Sequence, residues 1–464
     1  MPAVTRIGII GGGPGGYEAA LVAAQLGAEV TVVDRDGLGG SAVLTDCVPS
    51  KTLIATAEVM TDASESGELG VRLGVDVVGV DLGRVNARVT ALAKAQSDDI
   101  KARLDREGVR VVRGVGRLAD RASVVVSPVD GGAAETVEVD AVLLSTGAHP
   151  RVLPDAVPDG ERILTWEQLY GLTELPEHLV VVGSGVTGAE FASAYTSLGA
   201  PVTLISSRDR VLPGEDADAA GVLEDVFSRR GMTVLSRSRA GAVRREGDHV
   251  VVSLDDGRTV EGSHCLMAVG SIPNTAGLGL EEAGVRLSAG DYVEVDRVSR
   301  TSLPGVYAAG DCTGVLMLAS VAAMQGRIAM WHLLGDSVGP LNLRAVSSNV
   351  FTDPEIATVG WTEKDMDDSG ATVTVKLPLA TNARAKMQGV HEGFVKLYAR
   401  SGSGTVVGGV VVAPRASELI YPIALAVDGR LTVDQLAHSF TVYPSISGSV
   451  AEAARQLHTK VWRG

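Results

Sequence analysis

The first apolar run of the chain, Arg6-Ile7-Gly8-Ile9-Ile10, shows no polar alternation and predicts a strand buried on both faces. It leads into Gly11-Gly12-Gly13-Pro14-Gly15-Gly16, then into residues 17–27, whose small side chains predict a helix. A second apolar run, Glu29-Val30-Thr31-Val32-Val33, predicts another strand and ends at Asp34. The succession returns further on, with a strand at Leu179-Val180-Val181-Val182 and a turn at Gly183-Ser184-Gly185-Val186-Thr187-Gly188. A helix at 189–199 and a strand at 201–205 complete the second unit. Similar buried strands are expected at 141–148, 265–270 and 306–311. From about Arg344 the pattern changes. Stretches such as Gly393-Phe394-Val395-Lys396-Leu397-Tyr398 and Val406-Val407-Gly408-Gly409-Val410-Val411-Val412 predict an antiparallel sheet with helices beside it.

Both strand–turn–helix–strand units carry glycines at the spacing G-x-G-x-x-G: Gly11, Gly13 and Gly16 in the first, Gly183, Gly185 and Gly188 in the second. Asp34 follows the last glycine of the first unit by 18 positions, close to the roughly 20 at which an acid meets a ribose hydroxyl. One such fingerprint is weak. Two, each between a predicted strand and helix, imply two dinucleotide sites, because each helix N-terminus can face a pyrophosphate with free N–H groups. Two nucleotides in one chain suggest electron transfer between them.

Length and charge narrow the classes. With 464 residues and 45% apolar composition, the chain suits two to four domains with large cores. Its net charge of −15 repels phosphate backbones and anionic lipid, which argues against nucleic acid and membrane surfaces as partners. No run approaches the roughly 18 apolar residues of a spanning helix, so no integral membrane segment is expected. Three cysteines, Cys47, Cys265 and Cys312, make no disulfide framework and suit a reducing cytoplasm. No metal site is expected. The 56 glycines, roughly one residue in eight, exceed the usual share of about 7% and point to many tight turns and close approaches to ligands.

Taken in order, these motifs resemble the flavoprotein disulfide reductase family, which includes dihydrolipoamide dehydrogenase, glutathione reductase and mercuric reductase. The resemblance rests on the first Gly-rich turn, on Gly39-Gly40 leading to Cys47-Val48-Pro49-Ser50-Lys51, and on Ser145-Thr146-Gly147. It continues through the second turn with Glu190, Gly270-Ser271-Ile272-Pro273-Asn274-Thr275 and Ala309-Gly310-Asp311. Phe351-Thr352-Asp353-Pro354-Glu355-Ile356-Ala357, Asn382-Ala383-Arg384-Ala385 and Ala416-Ser417-Glu418-Leu419-Ile420 complete it. The resemblance implies an α/β chain with two Rossmann-like dinucleotide-binding domains, for FAD and NAD(P), plus a C-terminal α+β dimerisation domain. The expected boundaries are 1–150 for the FAD domain, 151–270 for the NAD(P) domain, 271–345 for a central domain completing the FAD domain, and 346–464 for the interface of a homodimer. On this resemblance FAD is held by Gly11, Gly13, Pro14, Gly16, Asp34, Gly40, Ser41, Gly116, Thr146, Gly147, Asp311, Leu318 and Ala319. NAD(P) is held by Gly183, Gly185, Val186, Gly188, Glu190, Ser206, Ser207, Arg208 and Gly270. Lys51 sits near flavin N5, paired with Glu190; a buried cation there needs a carboxylate partner and favours negative charge on the ring.

Two departures from the family pattern decide the expected chemistry. The family's dithiol reads Gly-Gly-Thr-Cys, four residues, Cys; here Gly39-Gly40-Ser41-Ala42-Val43-Leu44-Thr45-Asp46-Cys47 puts Ala42 at the attacking thiol and keeps only Cys47. A disulfide reductase needs one thiolate to attack and a second to resolve. Cys265 and Cys312 read as buried small hydrophobes. At the C-terminal end the family's acid–base pair is His-Pro, three residues, Glu; here Tyr443 and Gly448 occupy those places, and His438 reads as a helix-surface histidine. A phenol is a poor base near neutral pH but can donate a hydrogen bond. The chain therefore resembles the actinobacterial NAD(P)H-quinone dehydrogenase subgroup with the same losses. The expected activity is FAD-dependent NAD(P)H:quinone oxidoreduction without disulfide reduction, with catalytic Lys51, Glu190, Cys47 and Tyr443. A planar quinone accepts electrons without covalent attack, and Tyr443 is expected to donate a hydrogen bond to its oxygen. In place of the ribose-binding acid of NAD-specific relatives stands Ser206, in Ser206-Ser207-Arg208-Asp209-Arg210, so NADPH is expected to be accepted and NADH also used. Val186 replaces the tyrosine gate of glutathione reductases, leaving the nicotinamide pocket less closed. A single-cysteine peroxidase cycling Cys47, a soluble transhydrogenase and a non-enzymatic flavin-binding subunit remain as alternatives.

Overall fold

The computed structural model describes residues 4–71, 79–366 and 371–461. They fall into two compact units, Met1–Thr52 with Asn86–Arg151 and Gly270–Leu341, and Leu53–Val85 with Val152–Val269 and Asn342–Gly464.

The first unit is built on a seven-stranded sheet in the order Val306–Ala308, Ala141–Leu144, Arg6–Ile10, Glu29–Asp34, Arg110–Asp120, Ser123–Pro128 and Glu135–Glu138. The first five strands run parallel and the last two turn back antiparallel. Ile7, Ile9, Val30, Val32 and Leu143 bury their side chains against the helix Pro14–Gln25. Ile10, Val33, Val142, Leu144 and Val306 line another cluster of the same unit. The helices Pro14–Gln25 and Ala319–Leu333 lie backbone to backbone: a β-carbon at Gly326 would run into the Gly15 carbonyl.

The second unit holds a parallel sheet in the order Thr233–Leu235, Val202–Ile205, Leu179–Val182, His264–Met267 and Ile163–Leu164. A three-stranded antiparallel sheet, Ala240–Glu246, His249–Leu254 and Thr259–Gly262, shares its core through Val243, Val250 and Val252. The C-terminal part is an antiparallel sheet in the order Ser347–Val350, Glu355–Gly360, Val406–Ala413, Phe394–Arg400 and Thr372–Pro378, with the helices Tyr421–Asp428 and Gly448–Val461 packed on it. Residues 53–85, which the sequence reading leaves in the first domain, group here: Thr61 bonds Ser197 at 3.1 Å and Glu65 pairs with Arg230 at 3.1 Å.

The expected elements occur where the apolar runs place them, with shifted ends. Both nucleotide-type helices start three residues earlier than expected, at Pro14 and Val186, because glycine and proline are tolerated in a first turn that needs few N–H donors. The strands expected to reach 148, 270 and 311 stop at Leu144, Met267 and Ala308. Their last small residues leave the sheet and form loops at its C-terminal edge, where α/β folds bind ligands.

Candidate functional site

Each Gly-rich turn is shaped by the same two close approaches. Gly11 and Gly183 have φ of 102° and 111°, and a β-carbon there would collide with the carbonyl oxygens of Ser145 and Ala268. Gly16 and Gly188 lie against the Gly11 and Gly183 carbonyls, which brings helix onto strand. The middle glycines differ: a β-carbon at Gly185 would meet nothing within 4 Å, and one at Gly13 only the Gly40 α-carbon at 3.9 Å. This open space lies before the helices Pro14–Gln25 and Val186–Ser197, neither of which has a capping side chain or an acid in its first turn. Bare N–H groups beside open space are what a pyrophosphate requires, so both turns fit a dinucleotide.

In the first unit, Gly40 packs its backbone on Gly13, at the start of the short helix Gly40–Leu44. Asp34 ends its strand as a half-buried acceptor: Oδ2 takes the Gly12 N–H at 2.7 Å, and Oδ1 takes those of Gly37 at 2.6 Å and Asp36 at 3.0 Å. Gly116 is buried in its strand against Ile10 and Val33. Thr146 Oγ1 donates to the Asn274 carbonyl at 2.6 Å, Asn274 Nδ2 donates to the Thr146 carbonyl at 2.8 Å, and Gly147 takes φ of 69° between them. Asp311 follows Gly310, whose N–H is held by the buried Gln325 at 2.8 Å. Burial, and then the charge of Asp46, push the Asp311 carboxyl up to about 6. Leu318 and Ala319 are half-buried at the start of the helix Ala319–Leu333.

The thiols separate clearly. Cys47 is half-buried at the N-terminus of the helix Cys47–Glu65, with Lys51 one turn on. Cys265 and Cys312 are fully buried, and burial raises both, Cys312 to about 11. Ala42 is half-buried on the short helix Gly40–Leu44.

In the second unit, Glu190 is 3% exposed and accepts the Phe351 N–H at 2.8 Å. Val186 is exposed, as are Ser207 and Arg208, whereas Ser206 is fully buried with its hydroxyl bonded to Ser184 at 2.7 Å. Tyr443 is 86% exposed. Beside it a cavity of about 320 Å³ is lined by Asn382, Thr441, Ser445, Gly448 and Glu452. Asn382 anchors this segment by donating to the Ser445 carbonyl at 3.0 Å and Ser449 Oγ at 2.8 Å. His438 is exposed and faces the Asp434 carbonyl at 2.7 Å. Gly270, with φ of 94°, belongs to the first unit, where its carbonyl accepts the Arg151 N–H at 2.9 Å.

Sequence reasoning missed Ser184, Gln325 and the proximity of Asp46 to Asp311. Asp46 was legible as the residue before Cys47; Ser184 and Gln325 carried no sign, since each acts on a group distant in the chain.

Residues 5–326 match the family described as pyridine nucleotide-disulphide oxidoreductase, and residues 346–454 match the dimerisation domain of the same name. The chain is 57% identical, over 98% of its length and 94% of the relative's, to an NAD(P)H dehydrogenase (quinone) of Mycobacterium tuberculosis. It is 32% identical, over 96% of its length and 94% of the relative's, to the dihydrolipoyl dehydrogenase of Geobacillus stearothermophilus. The crystal structure of LpdA from Mycobacterium tuberculosis superposes with a TM-score of 0.94 at 56% identity, covering 98% of this chain and 100% of that one.

Proposed function

The chain belongs to the pyridine nucleotide-disulphide oxidoreductase family, and from that premise we propose that it is an FAD-dependent NAD(P)H:quinone oxidoreductase without disulfide reductase activity. Its cofactors are FAD and NAD(P)H. When bound, FAD supplies the two-electron relay between the nicotinamide and the acceptor. The observation that carries the reading is the combination of two fitted dinucleotide turns with a single half-buried thiol. Cys265 and Cys312 are fully buried, so neither replaces the thiol absent at Ala42. The similarity to a relative named for quinone reduction supports the same acceptor.

Within this reading Gly11, Gly13, Pro14 and Gly16 hold the FAD pyrophosphate, and Asp34 the adenosine ribose. Gly40, Ser41, Gly116, Thr146, Gly147, Asp311, Leu318 and Ala319 complete the FAD contacts. Lys51 provides positive charge beside the flavin ring, with Glu190 as its carboxylate. Gly183, Gly185, Val186, Gly188, Ser206, Ser207, Arg208 and Gly270 serve the nicotinamide nucleotide, with NADPH accepted and NADH also used. Tyr443 donates a hydrogen bond to a quinone oxygen. The functional domains of this reading run 1–150, 151–270, 271–345 and 346–464, while by packing residues 53–85 group with the second unit and Gly270 with the first.

A homodimer is supported by the dimerisation-domain match and by Phe440, Val442 and Tyr443, large side chains that a single copy leaves 106%, 78% and 86% exposed. Among the described residues no helix is long and apolar enough to cross a membrane. A cytoplasmic location rests on cysteine usage alone.

Single-turnover mixing tests the proposal. NADPH should bleach the yellow FAD-loaded protein, and an added benzoquinone should restore the colour while lipoamide leaves it bleached. Restoration by lipoamide would contradict the reading.

A further inference from the structure

The two Gly-rich units of this chain solve one local problem in two ways. In the first, residue 12 is glycine and residue 34, 22 positions on, is an aspartate whose Oδ2 accepts the Gly12 N–H at 2.7 Å. A β-carbon at Gly12 would sit 3.0 Å from that oxygen and 2.8 Å from Leu38 Cδ2, so the acid and the glycine require each other. In the second unit the same spacing joins Ser184 and Ser206: Ser184 Oγ donates to Ser206 Oγ at 2.7 Å. The shorter side chain at 206 leaves a gap, and the Ser184 hydroxyl fills it.

The consequence lies in what each pair has left to offer. A carboxylate has about four acceptor positions. Asp34 uses three, on Gly12, Asp36 and Gly37, and keeps one for a ribose hydroxyl. A serine hydroxyl has one donor and two acceptor positions. Ser206 accepts from Ser184 and from the Arg208 N–H at 3.2 Å, and its own hydrogen is shared between the carbonyls of Arg210 at 3.1 Å and Arg208 at 3.3 Å. It is saturated, and 0% exposed.

The loop from Ser206 to Leu212 is pinned by Ser184 at both ends, because the Leu212 N–H donates to the Ser184 carbonyl at 2.9 Å. The Arg237 N–H holds the Arg208 carbonyl at 2.7 Å, and Glu224 takes the Val211 N–H at 2.6 Å. Ser207, Arg208 and Asp209 are left as its exposed side chains.

We propose that Ser184 and Ser206 act together as positioning residues for the donor nucleotide. They fix a preformed loop whose exposed Arg208, and not residue 206, reads the substituent on the adenosine 2′ carbon. The inference deepens the reading of the second unit as the NAD(P)H site and rests on it. It makes a 2′-phosphate the favoured ligand, since a guanidinium pairs with phosphate and no carboxylate opposes it at position 206.

Titration calorimetry of the FAD-loaded protein with 2′,5′-ADP and 5′-AMP tests it. Ser184→Ala should weaken both ligands about fivefold, the worth of one neutral hydrogen bond, and raise the KM of either nicotinamide alike at constant kcat. Arg208→Gln should weaken 2′,5′-ADP by about tenfold or more, as expected of a charge-assisted bond, and leave 5′-AMP unchanged. The exchange Ser184→Gly with Ser206→Asp, which rebuilds the first unit's arrangement, should turn the preference toward 5′-AMP. Unaltered binding in Ser184→Ala, with Ser206→Ala changing the two ligands unequally, would mean that Ser206 touches the ribose and would overturn the proposal. Failure of the unsubstituted protein to bind either ligand would instead overturn the assignment of the second unit to NAD(P)H.

Discussion

Replacing Gly185 with alanine separates the cost of a side chain to the fold from its cost to a bound nucleotide. Gly185 has φ of −72° and ψ of −173°, which any residue adopts, and an added methyl meets no protein atom within 4 Å. Its effect on stability should stay within about 1 kcal/mol: reduced freedom of the unfolded chain favours alanine, and the helix N-cap position disfavours it. The neighbouring Gly183→Ala is the contrast. There φ is 111°, and the β-carbon would lie inside the Ala268 carbonyl oxygen, so the sheet edge must move and the loss should be several kcal/mol. The Gly185 methyl instead projects into the space assigned to the pyrophosphate. Forcing phosphate oxygens away from the first-turn N–H groups should cost about 1.5–3 kcal/mol, the range for hydrogen bonds to charged groups, and so raise KM for NADPH and NADH roughly ten- to hundredfold. Thermal unfolding and steady-state kinetics on the two variants are sufficient. Unchanged KM in Gly185→Ala, with the protein folded, would refute the placement of the pyrophosphate.

Tyr443→Phe should lower kcat/KM for a quinone about fivefold, the value of one neutral hydrogen bond, and leave bleaching by NADPH untouched; identical kinetics would remove the role given to the phenol. Cys47→Ser should keep quinone reduction; NADPH-dependent peroxide turnover by the unsubstituted protein that vanishes in the variant would instead favour the single-cysteine alternative. Lys396→Met should destabilise the protein by about 3–5 kcal/mol, because Lys396 is 1% exposed and its ammonium holds the carboxylate of Asp216, a side chain 5% exposed, at 2.8 Å; the substitution removes that counter-charge and leaves the Tyr398 hydroxyl and the Ala219 N–H as donors. A shift of Tm below 1 °C would contradict that. The same variant predicts a pH dependence. Hydrogen bonds first from Lys396 and then from Lys376 outweigh burial and hold Asp218 below the ordinary carboxylate value of 3.8. Its contribution is therefore present above that value and lost as pH falls through the lower folded one, so the Tm gap between the two proteins should be full above about pH 4 and narrow by the share of Asp218 below it.

Much of this arrangement was legible in the sequence because its signals are local. Apolar runs fixed the central strands, and glycines at set spacing marked the turns, since the collisions that demand them involve backbone a few residues or one strand away. The substitutions Ala42, Tyr443 and Gly448 could be read because each falls inside a motif whose other members are present. What escaped depends on partners distant in the chain. The strand Phe394–Arg400 gives no hint that Lys396 is buried; Asp216, 180 residues earlier, together with Asp218 and Glu363, makes that burial tolerable. Ser184 passes as an ordinary filler between two glycines until the fold brings Ser206 against its hydroxyl. The strand ends at Leu144, Met267 and Ala308 were overrun because small residues suit a strand and a ligand loop equally well.

The central claim is that a single-thiol member of this family passes electrons to a quinone and not to a disulfide. Steady-state oxidation of NADPH and NADH by the purified protein, with a benzoquinone, lipoamide and oxidised glutathione as alternative acceptors, tests it most directly. Turnover with the quinone and none with either disulfide is the predicted result. Turnover with lipoamide or glutathione disulfide would require a second working thiol and would contradict the reading of Ala42 and Tyr443.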